Sequence, residues 1–185
     1  MKTYPPIIQT LEQLEEESIE RGIPIIGREK GTWLYKKVKE LKPRKVLELG
    51  TANGYSGCIL GSEGAQLTTI EINPQIMKEA EMNFKKYKIA ATVLVGDGVE
   101  KIKEFAAQST NREKFDLIFI DFVKNQYFSV LEDSIFLIKK GGYIIADNIT
   151  FPGCQNYKHA VLTHPQLETE IVLIKDDGLA CSRKV

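Results

Sequence analysis

The chain contains 185 residues, of which 43% are hydrophobic and 27% are charged. This length and composition indicate one ordinary soluble globular domain over 1–185, large enough to bury a substantial core. The 25 basic and 25 acidic residues cancel, so net charge gives no case for a broad nucleic-acid or membrane surface. No apolar run reaches the length of a membrane span, and the polar start of the chain lacks the features of a signal peptide. We therefore expect a cytoplasmic protein.

The first 43 residues predict two helices joined by a loop. Apolar residues recur at helical spacing among the glutamates of 7–21, which is typical of a short amphipathic helix. Two glycines and a proline mark 22–27 as a loop. A second helix is predicted from about Glu29 to Leu41, and Pro43 ends it.

From Lys45 onward, apolar runs alternate with helical stretches. The predicted strands are 45–49, 67–71, 92–95, 115–120 and 143–146, and the predicted helices are 55–61, 74–87, 97–108 and 125–138. This alternation implies βαβ crossovers and a parallel sheet. The last residues differ, because two short strands, 168–175 and 179–184, flank an Asp-Gly turn at 176–178 and predict an antiparallel hairpin.

A glycine-rich turn follows the first predicted strand and carries Gly50, Gly54 and Gly57. Such a turn lets backbone N–H groups at a helix start approach an anionic or polar ligand. Glu71, at the end of the next strand, is placed to hold the hydroxyls of a ribose. These features predict a nucleoside-containing cofactor. Ala52 replaces the middle glycine of the NAD fingerprint, which disfavours NAD.

The segment Glu48-Leu-Gly-Thr-Ala-Asn-Gly-Tyr-Ser56 resembles motif I of the S-adenosylmethionine-dependent O-methyltransferases, the family that includes catechol and caffeoyl-CoA O-methyltransferases. The resemblance extends over about 22–185. It implies a Rossmann-like, doubly wound α/β fold whose seven-stranded, mostly parallel sheet ends in the antiparallel hairpin. Residues 1–43 would form a lid over a cofactor- and metal-binding core at 44–185. S-adenosylmethionine would be the methyl donor and S-adenosylhomocysteine the product.

The resemblance also implies roles for residues around the cofactor. The Gly50 turn would lie along the methionine part, with the Ser56 hydroxyl near its carboxylate. Glu71 would bind the ribose diol, Asp97 would accept from the adenine amino group, and Ile72 would stack on the adenine. The alternatives are a helix cap for Asp97 and a surface strand end for Glu71. The implied cofactor site comprises Ile26, Glu48, Gly50, Thr51, Ala52, Gly54, Tyr55, Ser56, Glu71, Ile72, Gly96, Asp97 and Asp121.

Oxygen-bearing side chains end two later strands. Asp121 ends one strand, and Asp147 and Asn148 end the next. Adjacent parallel strands bring these residues to the same end of the sheet, where their hard oxygen atoms suit Mg²⁺, with Mn²⁺ or Ca²⁺ as alternatives. Their order, with Lys124 three residues after Asp121, resembles the divalent-metal motif of the catechol-type enzymes. Lys124 would then act as general base on the acceptor hydroxyl. The alternative is that the aspartates cap helices and the lysine lies on the surface.

Together these features predict a divalent-metal-dependent O-methyltransferase that acts on a catechol-like, vicinal dihydroxy small molecule. One alternative keeps the reaction but uses tRNA, since bacterial relatives of this family methylate hydroxylated wobble uridine. Lys30, Lys36 and Lys37 would then supply a basic surface beside the metal site. The other alternative is an NAD-type oxidoreductase or a non-catalytic nucleotide-binding protein. A homodimer is expected by resemblance only.

The sequence departs from the family pattern around the acceptor. Phe122 and Val123 stand where catechol-specific members carry His-Trp, and the short chain leaves little room for the segments that shape the acceptor pocket. Those members also place an acid near the sixth strand to receive the second acceptor hydroxyl, and Glu168 and Glu170 are the candidates here. The resemblance therefore implies the type of reaction more firmly than the acceptor.

Overall fold

The computed structural model describes residues 3–108 and 114–185. Within these residues the strands are β1 Lys45–Leu49, β2 Gln66–Glu71, β3 Ala91–Val95, β4 Phe115–Ile120, β5 Ile138–Ala146, β6 Leu167–Ile174 and β7 Asp177–Lys184. They form one sheet in the order β3-β2-β1-β4-β5-β7-β6. β1 to β5 pair in parallel, whereas β7 runs antiparallel to both β5 and β6. This arrangement confirms the predicted fold class, although β5 begins at Ile138 rather than at 143.

The helices of the described residues are α1 Pro6–Thr10, α2 Glu12–Glu20, α3 Gly27–Leu41, α4 Tyr55–Gly61, α5 Pro74–Lys86, α6 Gly98–Ala107, α7 Leu131–Leu137 and α8 Gln155–Thr163. Two 3₁₀ helices, Lys124–Val130 and Pro152–Cys154, precede α7 and α8. The helix predicted at 7–21 is confirmed, although Leu11 divides it. None of these helices combines the length and the apolar character that crossing a membrane requires.

The helix predicted at 125–138 is wrong in its first half, where the backbone forms a 3₁₀ helix from Lys124 to Val130. Tyr127 and Val130 are the buried residues of this segment, and they are three positions apart. A repeat of three residues matches the 3₁₀ turn, so the core contacts favour the tighter helix here.

Side chains alternate between the two faces of the sheet. In β1, Val46 packs with the helices α1 to α5, whereas Leu47 and Leu49 pack with α6, α7 and α8. Glu48 lies between these two leucines, so alternation directs it to the α1–α5 face, where it is fully buried. A carboxyl group is thus enclosed in one of the two cores.

The C-terminal hairpin confirms the predicted antiparallel pairing, but the predicted turn is wrong. The turn is Lys175-Asp176, and Asp177 already pairs with Ile174. Lys175 has φ +57°, the left-handed conformation that a two-residue hairpin turn uses. Gly178 is needed inside the strand instead, because a Cβ there would lie 2.6 Å from the carbonyl oxygen of Val172. The Asp-Gly pair therefore starts β7 and brings the Asp177 carboxylate to the end of the sheet.

The ends of β1 and β4 meet at Gly50. The N–H of Asp121 donates to the carbonyl of Leu49 over 2.9 Å. Gly50 has φ +98°, and a Cβ added to it would lie 2.1 Å from the carbonyl oxygen of Asp121. Any other residue would force one of the two backbones to move. The glycine turn and the strand end that carries Asp121 are therefore held in direct contact.

We expect Gly50→Ala to lower the free energy of unfolding by at least about 2 kcal/mol more than Gly64→Ala, because it overpacks a rigid contact. Gly64 is the matched control, since it has φ +87° but no atom within 4 Å of an added Cβ. Alanine there costs only about 1–2 kcal/mol for the left-handed backbone. Equilibrium unfolding of both variants in urea measures the difference. Equal losses would mean that the contact with Asp121 is not rigid.

Candidate active site at the carboxyl ends of the parallel strands

A cavity of about 760 Å³ lies at the carboxyl ends of the parallel strands, where the strand order reverses. This is the expected position for a ligand in an open α/β sheet. The predicted site residues on its wall are Gly50, Thr51, Ala52, Tyr55, Ser56, Glu71, Ile72, Gly96, Asp97, Asp121, Lys124, Asp147 and Asn148. A second concavity of about 810 Å³ lies beside α6, α7 and the end of β7, and the described residues that line it include none of these.

Three predicted cofactor residues lie behind the cavity wall. Ile26 is 5% exposed and packs in the core, whereas its neighbour Ile25 lines the cavity. Gly54 precedes α4 and lies against the ring of Phe84. Glu48 lies beneath the glycine turn with no exposed surface. These residues shape the wall from behind.

Glu48 connects the buried hydroxyl groups beneath the glycine turn. Its two carboxyl oxygens form hydrogen bonds of 2.6 Å with the hydroxyls of Ser56 and Thr69. The Thr51 hydroxyl lies 2.6 Å from that of Thr69 and extends the network to the turn. Burial raises the pKa of Glu48 to about 8, although the two hydroxyl donors oppose the rise. The Ser56 hydroxyl, predicted to face a cofactor carboxylate, is thus engaged with Glu48.

Backbone N–H groups hold two carboxylates on the cavity wall. Glu71 accepts from the N–H groups of Ala52 and Asn73, both over 2.9 Å. Asp97 caps α6 by accepting from the second and third residues of the helix. The helix-cap alternative for Asp97 is therefore confirmed, and both carboxylates also line the cavity. Ile72, beside them, is 66% exposed, so an apolar side chain is available at the rim.

The predicted base contacts one of the predicted metal ligands. Lys124 Nζ donates to Asp121 Oδ1 over 2.6 Å and to the hydroxyl oxygen of Tyr127 over 3.1 Å. Burial, followed by the charge of Asp121, raises the pKa of the Tyr127 hydroxyl well above its ordinary value. Tyr127 therefore stays protonated, and its oxygen helps to orient the lysine.

Asp147 contacts a lysine that comes from α3. Lys30 Nζ lies 2.6 Å from Asp147 Oδ1 and 2.9 Å from Asp177 Oδ2. Burial, followed by the charge of Asp121, raises the pKa of Asp147 to about 6, and Lys30 opposes the rise. The two cavity aspartates therefore repel each other, and a cation bound between them would relieve the repulsion.

The donor set fits a divalent ion. Asp121, Asp147 and Asn148 offer two carboxylates and an amide oxygen, which are hard donors of the kind that Mg²⁺ takes together with water. Within 3–108 and 114–185, no three His, Cys, Asp or Glu side chains are gathered as a metal site. The amide of Asn148 is therefore required for a set of three protein donors. Lys30 and Lys124 each hold one oxygen of an aspartate in this structure.

Two residues, Tyr127 and Asp177, join the site although the sequence assigns them no role in it, and Lys30 joins it as an ion-pair partner. Lys30 is not part of an exposed basic surface, because its side chain is only 13% exposed and forms ion pairs with Asp147 and Asp177. Lys37 lies 4.9 Å from the centre of the Tyr143 ring. Helical and strand periodicity identifies which residues face inward, but it carries no information on which distant charges will pair.

Comparison with known proteins gives one family. The model of the O-methyltransferase family matches residues 4–176. Catechol O-methyltransferase B of Danio rerio is 35% identical over 142 residues, which cover 71% of this chain and 52% of that protein. Catechol O-methyltransferase of Sus scrofa is 30% identical over 139 residues, which cover 71% and 74%.

The fold is also shared with solved structures. The crystal structure of an O-methyltransferase from Bacillus cereus in complex with SAH superposes with a TM-score of 0.83 at 20% identity, and the match covers 100% of this chain and 93% of that one. The chain spans only about half the length of several of the curated relatives that it matches, such as the proteins from Danio rerio and Mus musculus.

The buried carboxyl group beneath the glycine turn generates a prediction about pH. Because the pKa of Glu48 is raised from 4.5 to about 8, the folded state retains a proton that the unfolded state releases. This contribution to stability is present at low pH and is lost as the pH rises towards 8. We expect the advantage of the wild type over Glu48→Gln to shrink by more than about 1 kcal/mol between pH 5 and 8.

Urea unfolding at both pH values measures this change. Glu81→Gln is the matched control, because Glu81 is an exposed residue of α5, and its effect should not vary with pH in this way. A constant difference between the wild type and Glu48→Gln would contradict the raised pKa.

Proposed function

The chain belongs to the O-methyltransferase family, and we propose that it transfers a methyl group from S-adenosylmethionine to one hydroxyl of a vicinal dihydroxy small molecule. S-adenosylhomocysteine is the second product. The observation that carries the proposal is that the glycine turn, Lys124 and three oxygen donors line one cavity. The names of the relatives, catechol O-methyltransferases among them, support this class of acceptor.

The cavity wall supports the placement of the methyl donor. The turn at 50–56 would follow the methionine part, and Glu71 would accept from the ribose hydroxyls, since it is already fixed by two backbone N–H groups. Asp97 and Ile72 would contact the adenine with a carboxylate and an apolar surface. The negative charge of Glu71, Asp121 and Asp147 favours a ligand that carries a sulfonium and an ammonium group.

Asp121, Asp147 and Asn148 would hold a divalent ion, with Mg²⁺ as the first choice and Mn²⁺ or Ca²⁺ as alternatives. When bound, such an ion lowers the pKa of a coordinated hydroxyl and fixes the orientation of two neighbouring oxygens. An acceptor with two adjacent hydroxyls would benefit from both the lowered pKa and the fixed orientation. The acceptor would enter past Val123 and Phe151, which are 56% and 46% exposed.

Lys124 is the proposed general base. It would accept the proton of the acceptor hydroxyl, and the oxygen would then attack the methyl carbon in line with its bond to sulfur, which breaks and leaves S-adenosylhomocysteine. Asp121 Oδ1, 2.6 Å from Lys124 Nζ, stabilises the ammonium that forms. The Tyr127 hydroxyl oxygen accepts a hydrogen bond from Lys124 Nζ over 3.1 Å and helps to hold the lysine in this position.

The proposal also assigns a role to the first 43 residues. The segment 1–43 would act as a lid, which is supported by the presence of Arg21, Gly22, Ile23, Pro24 and Ile25 on the cavity wall. A homodimer is part of the proposal by resemblance to the family, and the cytoplasmic location expected from the sequence is kept as part of it.

The alternatives have less support. A tRNA acceptor needs a free basic surface, and Lys30 and Lys37, two of its three candidate lysines, are engaged with Asp147 and with the Tyr143 ring. The family match and Ala52 in the turn both favour methyl transfer over an NAD-type oxidoreductase or a nucleotide-binding protein without activity.

Removal of divalent ions tests the metal. EDTA should abolish the formation of S-adenosylhomocysteine from catechol, and excess Mg²⁺ should restore it, because the acceptor hydroxyl then regains its electrostatic activation. Calorimetry with S-adenosylhomocysteine in EDTA is the control, and binding should persist. Undiminished turnover in EDTA would contradict the metal's role.

Substitution of the base tests the chemistry. Lys124→Ala should lower turnover by roughly 10²- to 10⁴-fold, the usual contribution of a general base. Its affinity for S-adenosylhomocysteine should stay close to that of the wild type. Lys36→Ala, which changes an exposed lysine of α3, is the matched control and should keep full turnover. A rate unchanged by Lys124→Ala would remove the assigned role.

A further inference from the structure

Asp177, the first residue of β7, collects side chains from two other parts of the chain. Its Oδ2 accepts from Lys30 Nζ over 2.9 Å and from Asn148 Nδ2 over 2.5 Å. Its Oδ1 accepts from the Thr150 hydroxyl over 2.6 Å. Both carboxylate oxygens are therefore in use, and Asp177 joins α3 to the loop that follows β5.

The contact with Asp177 fixes which way the Asn148 amide points. A carboxylate only accepts hydrogen bonds here, so the amide must present its NH₂ group to it. The amide oxygen of Asn148 is then the atom that remains for the cavity, which Asn148 lines. Its backbone has φ +55°, and the loop is further tied to β7 by the bond from Ile149 N–H to the Gly178 carbonyl over 3.0 Å.

Lys30 extends the same arrangement to the neighbouring ligand. Its Nζ lies between Asp177 and Asp147, at 2.9 Å and 2.6 Å. The side chains of Lys30 and Asp177 are 13% and 15% exposed, so the pair is largely shielded from water. Asp177 thus orients Asn148 directly, and it orients Asp147 through the lysine.

We propose that Asp177 is a positioning residue for the divalent ion, because it turns the Asn148 oxygen towards the cavity and anchors the lysine that holds Asp147. This inference rests on the proposed function, since it assumes that Asp121, Asp147 and Asn148 bind the ion. When a residue that hydrogen-bonds to a metal ligand without binding the metal is replaced, the metal affinity typically falls by about 10- to 100-fold.

The test is a titration with Mn²⁺, followed by the electron paramagnetic resonance signal of the free ion. Asp177→Asn should bind Mn²⁺ roughly 10- to 100-fold more weakly than the wild type, because an amide has one accepting oxygen where the carboxylate uses two. Its affinity for S-adenosylhomocysteine, measured without metal, should be unchanged. Asp176→Asn is the matched control, since it makes the same change at the exposed neighbouring position, and it should leave both affinities unchanged.

Two further variants separate the orienting role from its alternatives. Thr150→Val removes one donor to Asp177 without a change of charge, and it should weaken Mn²⁺ binding in the same direction by a smaller factor. This variant also tests the proposal if Asp177→Asn does not fold. The double variant Lys30→Met with Asp177→Asn removes the ion pair as a unit, and its Mn²⁺ affinity should remain low.

Each outcome bears on a distinct claim. If the wild type does not bind Mn²⁺, both the proposed metal site and this inference are overturned. If the wild type binds it and Asp177→Asn binds it equally well, only the positioning role fails. A parallel loss of S-adenosylhomocysteine affinity would indicate a general structural role instead. Recovery of wild-type Mn²⁺ affinity in the double variant would show that the released lysine, rather than the orientation of Asn148, was responsible.

Discussion

The need to compensate buried negative charge organises this end of the sheet. The carboxyl ends of the parallel strands deliver Glu71, Asp97, Asp121 and Asp147 to one cavity, and Glu48 lies directly beneath it. Carboxylates that leave water without a partner are costly. Three features compensate this charge: burial raises the pKa of Glu48 to about 8 and so favours its neutral form, backbone N–H groups hold Glu71 and Asp97, and lysines pair with Asp121 and Asp147.

These three features differ in how readily a ligand can replace them. Backbone N–H groups cannot move away, so Glu71 and Asp97 are fixed points of the wall. Lys124 and Lys30 each hold only one oxygen of an aspartate, so the other oxygen of Asp121 and of Asp147 can face another cation. The proposed ligands, a sulfonium compound and a divalent ion, are both cations. The electrostatic character of the cavity and the proposed chemistry therefore agree.

Much of this arrangement follows from the sequence. Apolar runs give the strand positions, and the rule that parallel strands end at one edge brings Asp121, Asp147 and Asn148 together. The remaining parts depend on contacts that no local pattern records. Asp177 follows a turn that Lys175 makes in the left-handed conformation, although the Asp-Gly pair is the stronger turn signal. Lys30 pairs with aspartates more than 100 residues away along the chain, and helical spacing cannot anticipate such a partner.

The close approach of Gly50 to the Asp121 carbonyl has a consequence for how such a protein can diversify. The separation between the proposed donor and acceptor halves is set by two main chains in contact, and not by side chains that substitution could lengthen or shorten. Val123 and Phe151, by contrast, project from the rim with few constraints from the core. Substitutions at the rim could therefore change which acceptor is methylated, while the spacing between the reacting atoms stayed the same.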